Sequence, residues 1–220
     1  MNRLFFITVI LFFYGLTLNA EDKFSFRFAY GQESDSDLGE ILSFQDPTAH
    51  KYSFHVLSLD AGYLLVKDTF DIPLDIYLKG GISQFNSEDL SKYSELAGMK
   101  DLTDNDIYEF TFYIKLYYNF DFWDNRVRLG FGEGGSYVND YLAPEVIEEN
   151  SDDPDDPKYS KYLNYLDISL DFDLGRLFGY KPLFNTYLGY TLKHRSGIFG
   201  LINGVSGGSN YNTISIERNF

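Results

Sequence analysis

Apolar and polar residues alternate with a period of two in eight separate stretches of the chain. Such alternation is typical of β-strands that have one apolar face and one polar face. With the residues that flank it, each stretch can supply the roughly 9–11 residues that a tilted membrane-spanning strand needs. The eight stretches lie at residues 24–30, 57–65, 72–79, 109–118, 126–131, 166–173, 184–193 and 213–220.

Long polar connections alternate with short ones between these stretches. The long ones cover residues 31–50, 83–106, 138–158 and 197–209, and the short ones lie near 67–71, 121–125 and 175–182. Bacterial outer-membrane barrels have an even number of strands, short periplasmic turns and long outer loops. The pattern therefore predicts an all-β fold for residues 21–220: an eight-stranded antiparallel transmembrane β-barrel with four long extracellular loops and both termini in the periplasm.

Residues 1–20 have the composition of a secretory signal peptide. Arg3 gives a positive start, the run from Leu4 to Tyr14 is almost wholly apolar, and Ala20 offers a small residue at a cleavage site. This apolar run is too short to span a bilayer as a helix. We expect residues 1–20 to be removed on export, which predicts a location in the outer membrane of a Gram-negative bacterium.

Aromatic residues are unusually frequent, since 19 Tyr and 21 Phe contribute to an aromatic fraction of 19%. Membrane barrels place aromatic residues in girdles at both interfaces with water, so this frequency agrees with the predicted fold. There are no cysteines, which excludes disulfides and thiolate metal sites. The net charge of −15 argues against nucleic acid as a partner.

The polar faces of the predicted strands carry equal numbers of acidic and basic residues. An eight-stranded barrel has an interior just wide enough for side chains, so charges placed there must pair. We therefore expect a filled, salt-bridged lumen, which makes a pore the weakest functional hypothesis. The residues predicted to point inward are Asp60, Asp75, Glu109, Asp167, Asp171, Asp173, Glu217, Arg27, Lys79, Lys115, Arg126, Arg128, Lys193 and Arg195.

His194 and Ser196 lie near the end of the seventh strand, and their alternation assigns them to the lipid-facing side. An imidazole can remove the proton from a serine hydroxyl and turn it into a nucleophile, provided that a third group orients the ring. The register of the eighth strand brings Asn210 to the same rim beside His194. Polar residues are also common at strand ends, so the pair does not by itself define an active site.

These residues resemble those of the outer-membrane lipid A 3-O-deacylases, a family of acyloxyacyl hydrolase-like eight-stranded barrels. The family has a His-x-Ser motif late in the seventh strand and an acidic residue at the start of the last strand. The resemblance implies that His194 is the general base and Ser196 the nucleophile, with Asn210 where the family has Glu. Gly197 stands where the family has Asn, near the oxyanion site.

The resemblance implies a serine esterase that cleaves an acyl ester of lipopolysaccharide without a metal or another cofactor. An aspartate at position 210 would then be expected to equal or exceed the activity of the asparagine. The C-terminal Phe220 resembles the signal that the barrel-assembly machinery reads in outer-membrane barrels. The alternative is a non-enzymatic barrel that serves as an adhesin, a tether or a surface-protection protein.

Three other features have simpler interpretations. His50 and His55 are expected at the membrane interface, with no carboxylate pair beside them and hence no metal site. The acidic run at residues 148–157 lacks the Gly and the terminal Glu of an EF-hand loop, so we expect a solvated loop. The glycine-rich stretch at 204–209 lacks the lysine of a phosphate-binding loop and is expected to be a flexible loop near the substrate.

Overall fold

The computed structural model of the protein describes residues 23–43, 45, 48–86, 90–99, 101–102, 106–152 and 154–220. The predicted signal peptide, residues 1–20, lies outside the described residues. Eight antiparallel strands, each paired with the next, form a closed barrel in which β1 also pairs with β8. The predicted eight-stranded antiparallel barrel is thus confirmed. The strands are β1 (Phe24–Ser34), β2 (His55–Val66), β3 (Leu74–Asn86), β4 (Ile107–Phe122), β5 (Asn125–Val138), β6 (Tyr162–Asp173), β7 (Thr186–Ser196) and β8 (Gly208–Asn219).

Several strands have different bounds from those predicted. The strands β4 and β5 contain 16 and 14 residues, more than a membrane span requires, so the barrel wall extends past the predicted loop boundaries. Phe184 was assigned to the seventh strand but precedes it. Asn185 has a φ of 62°, a left-handed conformation that interrupts the extended backbone before Thr186.

The connections divide the barrel into two ends. The "loop end" carries the described residues of the segments 35–54, 90–106, 139–161 and 197–207, and the "turn end" carries 67–73, 123–124 and 174–185. Short helices lie within these connections: α1 (Leu38–Leu42), α2 (Ala143–Asp152), α3 (Leu174–Leu177), and the 3₁₀ segments Thr69–Asp71, Leu90–Lys92, Ser94–Leu96 and Lys181–Leu183. No helix in the described part of the chain is both long and apolar enough to cross a membrane.

The outer surface of the barrel is apolar and its interior is polar. Exposed apolar side chains on the outer face include Tyr30, Leu59, Ile82, Phe110, Phe112, Leu129, Phe131 and Ile214. Inside, Asp167 pairs with both Arg27 and Lys115, and Glu217 lies 2.7 Å from the Lys79 ammonium. These contacts confirm the predicted ion pairs, because a charge in such a narrow interior is stable only when it is paired.

Three of the residues predicted to point inward lie at the turn end and have other partners. Arg126 pairs with Asp121, and both side chains are partly exposed. Asp75 accepts a hydrogen bond from the Asn119 amide at 2.9 Å. Asp173 accepts one from the backbone N–H of Arg176 at 2.9 Å, capping α3. They lie on the polar face of their strands, as predicted. Each of them, however, is at the turn end, where the barrel interior opens onto the turns.

A cluster of buried apolar residues closes the barrel at the loop end. It is formed by Tyr52, Phe54, Val56, Phe85, Leu90, Leu96, Ile107, Val138, Leu142, Ala143 and Tyr211. The members come from the first three long connections and from strand ends, so the loops pack over the mouth of the barrel. This packing supports the prediction of a filled lumen and gives the loop end a fixed structure beside β7 and β8.

Candidate active site

The pairing of β7 with β8 brings His194 and Asn210 together. His194 lies directly opposite Asn210, and Ser196 lies opposite Gly208 two residues further on. Directly opposite residues of antiparallel strands have Cβ atoms about 4.5–5.5 Å apart, within reach of one another's side chains. Asn210 also pairs with Ser34 of β1 on its other side. The predicted placement of Asn210 beside His194 is therefore confirmed. The pairing alone does not assign Asn210 a role in catalysis.

The hydrogen bonds of Asn210 determine which nitrogen of His194 carries a proton. The Asn210 Nδ2 donates to the backbone carbonyl of Ser36 at 3.1 Å, which an amide oxygen could not do. The Asn210 Oδ1 consequently faces the ring and lies 2.8 Å from His194 Nδ1. Because Oδ1 can only accept, Nδ1 carries the hydrogen and Nε2 is left as the basic nitrogen. This is the tautomer that a general base for serine requires.

The same contact argues against the expected benefit of an aspartate at position 210. A carboxylate would place an oxygen where Nδ2 now donates to the Ser36 carbonyl, so a hydrogen bond would become a repulsive contact between two oxygens. Asp35 and Asp37, on either side of Ser36, would add like charge near the same place. We therefore expect Asn210→Asp to remain below the activity of the unmodified protein.

Ser196 shares the outer face of β7 with His194, and both side chains are half-buried. Its hydroxyl oxygen accepts a hydrogen bond of 3.0 Å from the backbone N–H of Ile198, so its own proton remains available to a base. No hydrogen bond joins Ser196 to His194 among the described residues. In unliganded enzymes such contacts are often long and tighten only when the substrate binds.

The backbone N–H of Gly197, which the resemblance places near the oxyanion site, is already bonded within the protein. This N–H donates to the carbonyl of Gly207 at 3.1 Å, so it is not free to donate a hydrogen bond to a substrate oxygen. A Cβ atom at this position would lie 2.0 Å from the carbonyl oxygen of Val205, which only a glycine avoids. Gly197 is therefore needed for the close approach of the two sides of the β7–β8 connection.

We expect Gly197→Ala to destabilise the barrel by about 1–3 kcal/mol, the usual cost of forcing an extra carbon into a packed site. The matched control is Gly39→Ala in α1, where a Cβ would meet no atom within 4 Å. Urea unfolding of the refolded barrel in detergent micelles measures both. An equal effect of the two substitutions would contradict the steric role of Gly197.

A cavity of about 730 Å³ at the loop end includes the side chains of His194, Ser196 and Asn210. Its other walls come from the segment after β1, from α2 and from the connection before β8. The lining residues are Glu33, Ser34, Asp35, Ser36, Asp37, Leu38, Gly39, His50, Pro144, Ile147, Glu148, Ser151, His194, Ser196, Phe199, Ser206, Gly207, Gly208, Ser209 and Asn210. The predicted site thus opens onto a space large enough for part of a lipid headgroup.

The contribution of residues 33–39 was missed in the sequence, although one signal for it was present. Closure of an eight-stranded barrel requires β1 to pair with β8, and so the end of β1 must lie beside the start of β8. Ser34 pairs with Asn210 for this reason. The prediction ended β1 at Tyr30, and the four further residues of the strand carry Glu33 and Ser34 up to the site.

His50 is not the isolated interface histidine that was predicted. Its ring lies 3.3 Å from Asp35 and 4.0 Å from Glu33, so a carboxylate pair does stand beside it. Burial lowers the pKa of His50, and the negative charge of Asp35 acts in the opposite direction. The described residues nevertheless contain no group of three His, Asp or Glu side chains that could hold a metal ion. His55 stacks on Tyr30, with ring centroids 5.9 Å apart.

The acidic run at 148–157 is only partly the solvated loop that was expected. Its first residues belong to α2, and Glu148 lines the cavity. Glu149 is buried and accepts a hydrogen bond from the backbone N–H of Gly207 at 3.3 Å. The glycine-rich stretch is thereby tied to α2, which gives the cavity wall a defined shape.

Comparisons with known proteins bear on the fold alone. One solved structure with a similar fold is the outer membrane enzyme PagL, at 12% sequence identity and a TM-score of 0.53, covering 89% of this chain and 99% of that one. The chain has the fold of outer-membrane β-barrels. Neisserial surface protein A (NspA) also matches, at 12% identity and a TM-score of 0.48, covering 92% of this chain and 99% of that one. No family model and no curated protein sequence matches the chain.

Proposed function

We propose that this protein is an outer-membrane esterase that hydrolyses an acyl ester of lipid A, the membrane anchor of lipopolysaccharide. The observation that carries the proposal is the hydrogen bond between His194 Nδ1 and Asn210 Oδ1, with Ser196 on the same strand face. It leaves the basic nitrogen of the ring available to a serine hydroxyl. The resemblance to the lipid A 3-O-deacylases supplies the substrate class.

The chemistry follows from the tautomer of His194. As the Ser196 oxygen bonds to the carbonyl carbon of the ester, its proton passes to His194 Nε2, and the carbonyl oxygen takes up negative charge. The Ile198 N–H, which donates to the Ser196 oxygen, stabilises the charge that develops there as the proton leaves. Return of the proton from His194 releases the alcohol, and water then hydrolyses the acyl-serine by the same steps.

The position of the site suits a substrate that is held in a membrane. Ser196 lies on the same outer face of β7 as the exposed Leu188 and Tyr190. Beyond it, Phe199 is 96% exposed and Leu201 is 81% exposed. Apolar side chains in contact with lipid would hold the site at the depth where acyl chains join their headgroup. We propose that the loop end faces outward and the termini lie in the periplasm, as short turns and long outer loops do in outer-membrane barrels.

The C-terminus supports recognition by the barrel-assembly machinery. Phe220 exchanges two backbone hydrogen bonds with Phe24, at 2.9 and 3.0 Å, and its ring stacks on Phe26 at 5.7 Å. The terminal aromatic residue therefore closes the seam between β1 and β8. We propose that the barrel-assembly machinery recognises this aromatic residue at the seam.

Mass spectrometry of lipid A tests the proposal. Membranes of a bacterium producing the barrel should contain lipid A that has lost one ester-linked acyl chain, whereas membranes with the Ser196→Ala variant should contain intact lipid A. Both barrels must be folded, which the altered mobility of unheated samples in gel electrophoresis establishes. Intact lipid A in the presence of the folded unmodified barrel would contradict the proposal.

Two observations favour a non-enzymatic barrel as the second candidate. The Ser196 hydroxyl is bonded to Ile198 rather than to His194, and the N–H of Gly197 is occupied by Gly207. In that case the only role of His194 and Asn210 would be structural, because the hydrogen bond from Asn210 to Ser36 holds the connection after β1 against β7 and β8. An adhesin, tether or surface-protection protein would retain such a contact without any reactive serine.

Asn210→Ala separates an orienting role from a structural one. Loss of one hydrogen bond to the imidazole costs about 1.4 kcal/mol in the transition state, so we expect a roughly tenfold lower kcat with little change in KM. Hydrolysis of a chromogenic short-chain ester by the purified barrel measures this. A change in KM alone, or no change in either constant, would contradict the orienting role.

A further inference from the structure

The cavity that contains Ser196 has a strongly acidic lining. Glu33, Asp35, Asp37 and Glu148 contribute four carboxyl groups. Neither Lys nor Arg occurs among the described residues that line the cavity, and the two histidines are His50 and His194. Because burial lowers the pKa of His50, that ring is a poor source of compensating positive charge at neutral pH.

Glu33 gives a second and independent indication of a ligand. Its side chain is 5% exposed, and its Oε2 has no hydrogen-bond partner. The nearest basic group is His50, whose Nδ1 lies 4.0 Å away and already accepts a hydrogen bond from the backbone N–H of Tyr52. A buried polar group without a partner costs about 1–3 kcal/mol, and more when it is charged. Burial and the negative charges of Asp35 and Glu148 raise the pKa of Glu33 to about 9, so a cation that enters the cavity displaces the proton of Glu33 and pairs with its carboxylate.

The cation is better matched by an organic ammonium group than by a metal ion. The described residues bring no three His, Asp or Glu side chains close enough to hold a metal. An ammonium group needs no such coordination shell, since its three donors can be shared among one carboxylate and nearby hydroxyls. Ser34, Ser36 and Ser209 provide hydroxyls in the same lining. A bare phosphate, by contrast, would be repelled by the carboxylates of Asp35, Asp37 and Glu148.

We propose that the cavity binds the protonated amine of a lipid headgroup, so that the substrate of this site is an amine-bearing lipid ester rather than a purely anionic one. The claim about the substrate rests on the proposed function, because only an esterase has a substrate. The claim that the cavity binds an amine does not depend on hydrolysis. Glu33 is the principal partner of the amine, and Asp35 and Asp37 surround it with further negative charge.

Native mass spectrometry of the detergent-solubilised barrel tests the binding. The barrel carries Ser196→Ala so that no lipid is consumed, and the solution contains a chelator. The probes are lysophosphatidylethanolamine and lysophosphatidylglycerol with identical acyl chains, which share the phosphate and differ in its substituent, a protonated aminoethyl group in one and an uncharged glycerol in the other. We expect the ethanolamine lipid to bind at least about tenfold more tightly, and Glu33→Gln to remove most of this preference.

The control is Glu133→Gln, which removes a carboxylate from the outer face of β5, two strands away from His194. It should leave the preference intact. Asp35→Asn provides a second test, because its side chain is 58% exposed and its loss should not impair folding. Equal binding of the two lipids, or a preference that survives both Glu33→Gln and Asp35→Asn, would overturn the inference. So would binding of the glycerol lipid that appears only when Ca²⁺ replaces the chelator.

The outcome is distinguishable from a failure of the proposed esterase. If the ethanolamine lipid binds with the expected preference but the barrel with Ser196 restored does not hydrolyse it, only the esterase is contradicted. If the barrel hydrolyses both lipids equally well and binds them equally, the esterase remains and the amine specificity is contradicted.

Discussion

Replacing Ser196 with alanine is expected to lower the rate of ester hydrolysis by the purified barrel at least about 10³-fold. The serine oxygen is the atom that bonds to the substrate, and no other hydroxyl on the outer face of β7 stands beside a histidine. His194→Gln should cause a loss of similar size, since a glutamine cannot accept the proton. Because the two residues act as one unit, the double variant should be no slower than either single variant.

The measurement is the steady-state hydrolysis of a chromogenic ester in detergent micelles. Ser94→Ala is the matched control, because Ser94 is exposed in the connection between β3 and β4 and lies outside the cavity. A rate that stays within a few-fold of the unmodified protein in Ser196→Ala would exclude Ser196 as the nucleophile. Losses that multiply in the double variant would show that His194 and Ser196 act separately.

Replacing Asp167 with asparagine is expected to lower the free energy of unfolding by about 3–5 kcal/mol. The Asp167 carboxylate is fully buried and is bonded to both Arg27 and Lys115 inside the barrel. It also accepts a hydrogen bond from the Tyr165 hydroxyl at 3.0 Å. The substitution preserves the volume but removes the ion-pair partner of Lys115 and leaves Arg27 paired with Asp60, which lies 3.2 Å away.

Urea unfolding in lipid vesicles, followed by the fluorescence of the single tryptophan, Trp123, measures this loss. Glu95→Gln is the control, because Glu95 pairs with Lys51 in the loops and both side chains are substantially exposed. Loss of the Glu95–Lys51 pair should leave the unfolding midpoint unchanged, since water screens exposed charges. Equal midpoints for Asp167→Asn and Glu95→Gln would show that the lumen is hydrated and that its ion pairs are not buried.

The barrel could be predicted from the sequence because its strands obey a strict period of two. A shift of one residue would place the charges of the lumen in lipid, so alternation fixes the register as well as the fold. For this reason the position of Asn210 opposite His194 followed from counting along β8. The same alternation and the narrow interior predicted that Asp167, Glu217 and Lys79 would each be paired, whereas the identity of each partner came from the structure.

The parts of the site that lie in the loops could not be predicted in the same way. Loop conformation depends on packing between segments far apart in sequence, such as the contact of Glu149 with Gly207. The carboxyl groups beside His50 come from the extension of β1 and from the segment after it, where no periodicity indicates a position. Likewise, the hydrogen bond from Gly197 to Gly207 depends on how the β7–β8 connection folds back on itself.

Labelling with a serine-directed fluorophosphonate tests most directly whether Ser196 is an activated nucleophile. The folded barrel in micelles is treated with the probe, digested, and analysed by peptide mass spectrometry. We expect the label on Ser196 in the unmodified protein, greatly reduced labelling in His194→Gln, and no labelling of Ser94. A folded barrel in which Ser196 reacts no faster than Ser94 would contradict the account and leave a structural barrel without an active serine.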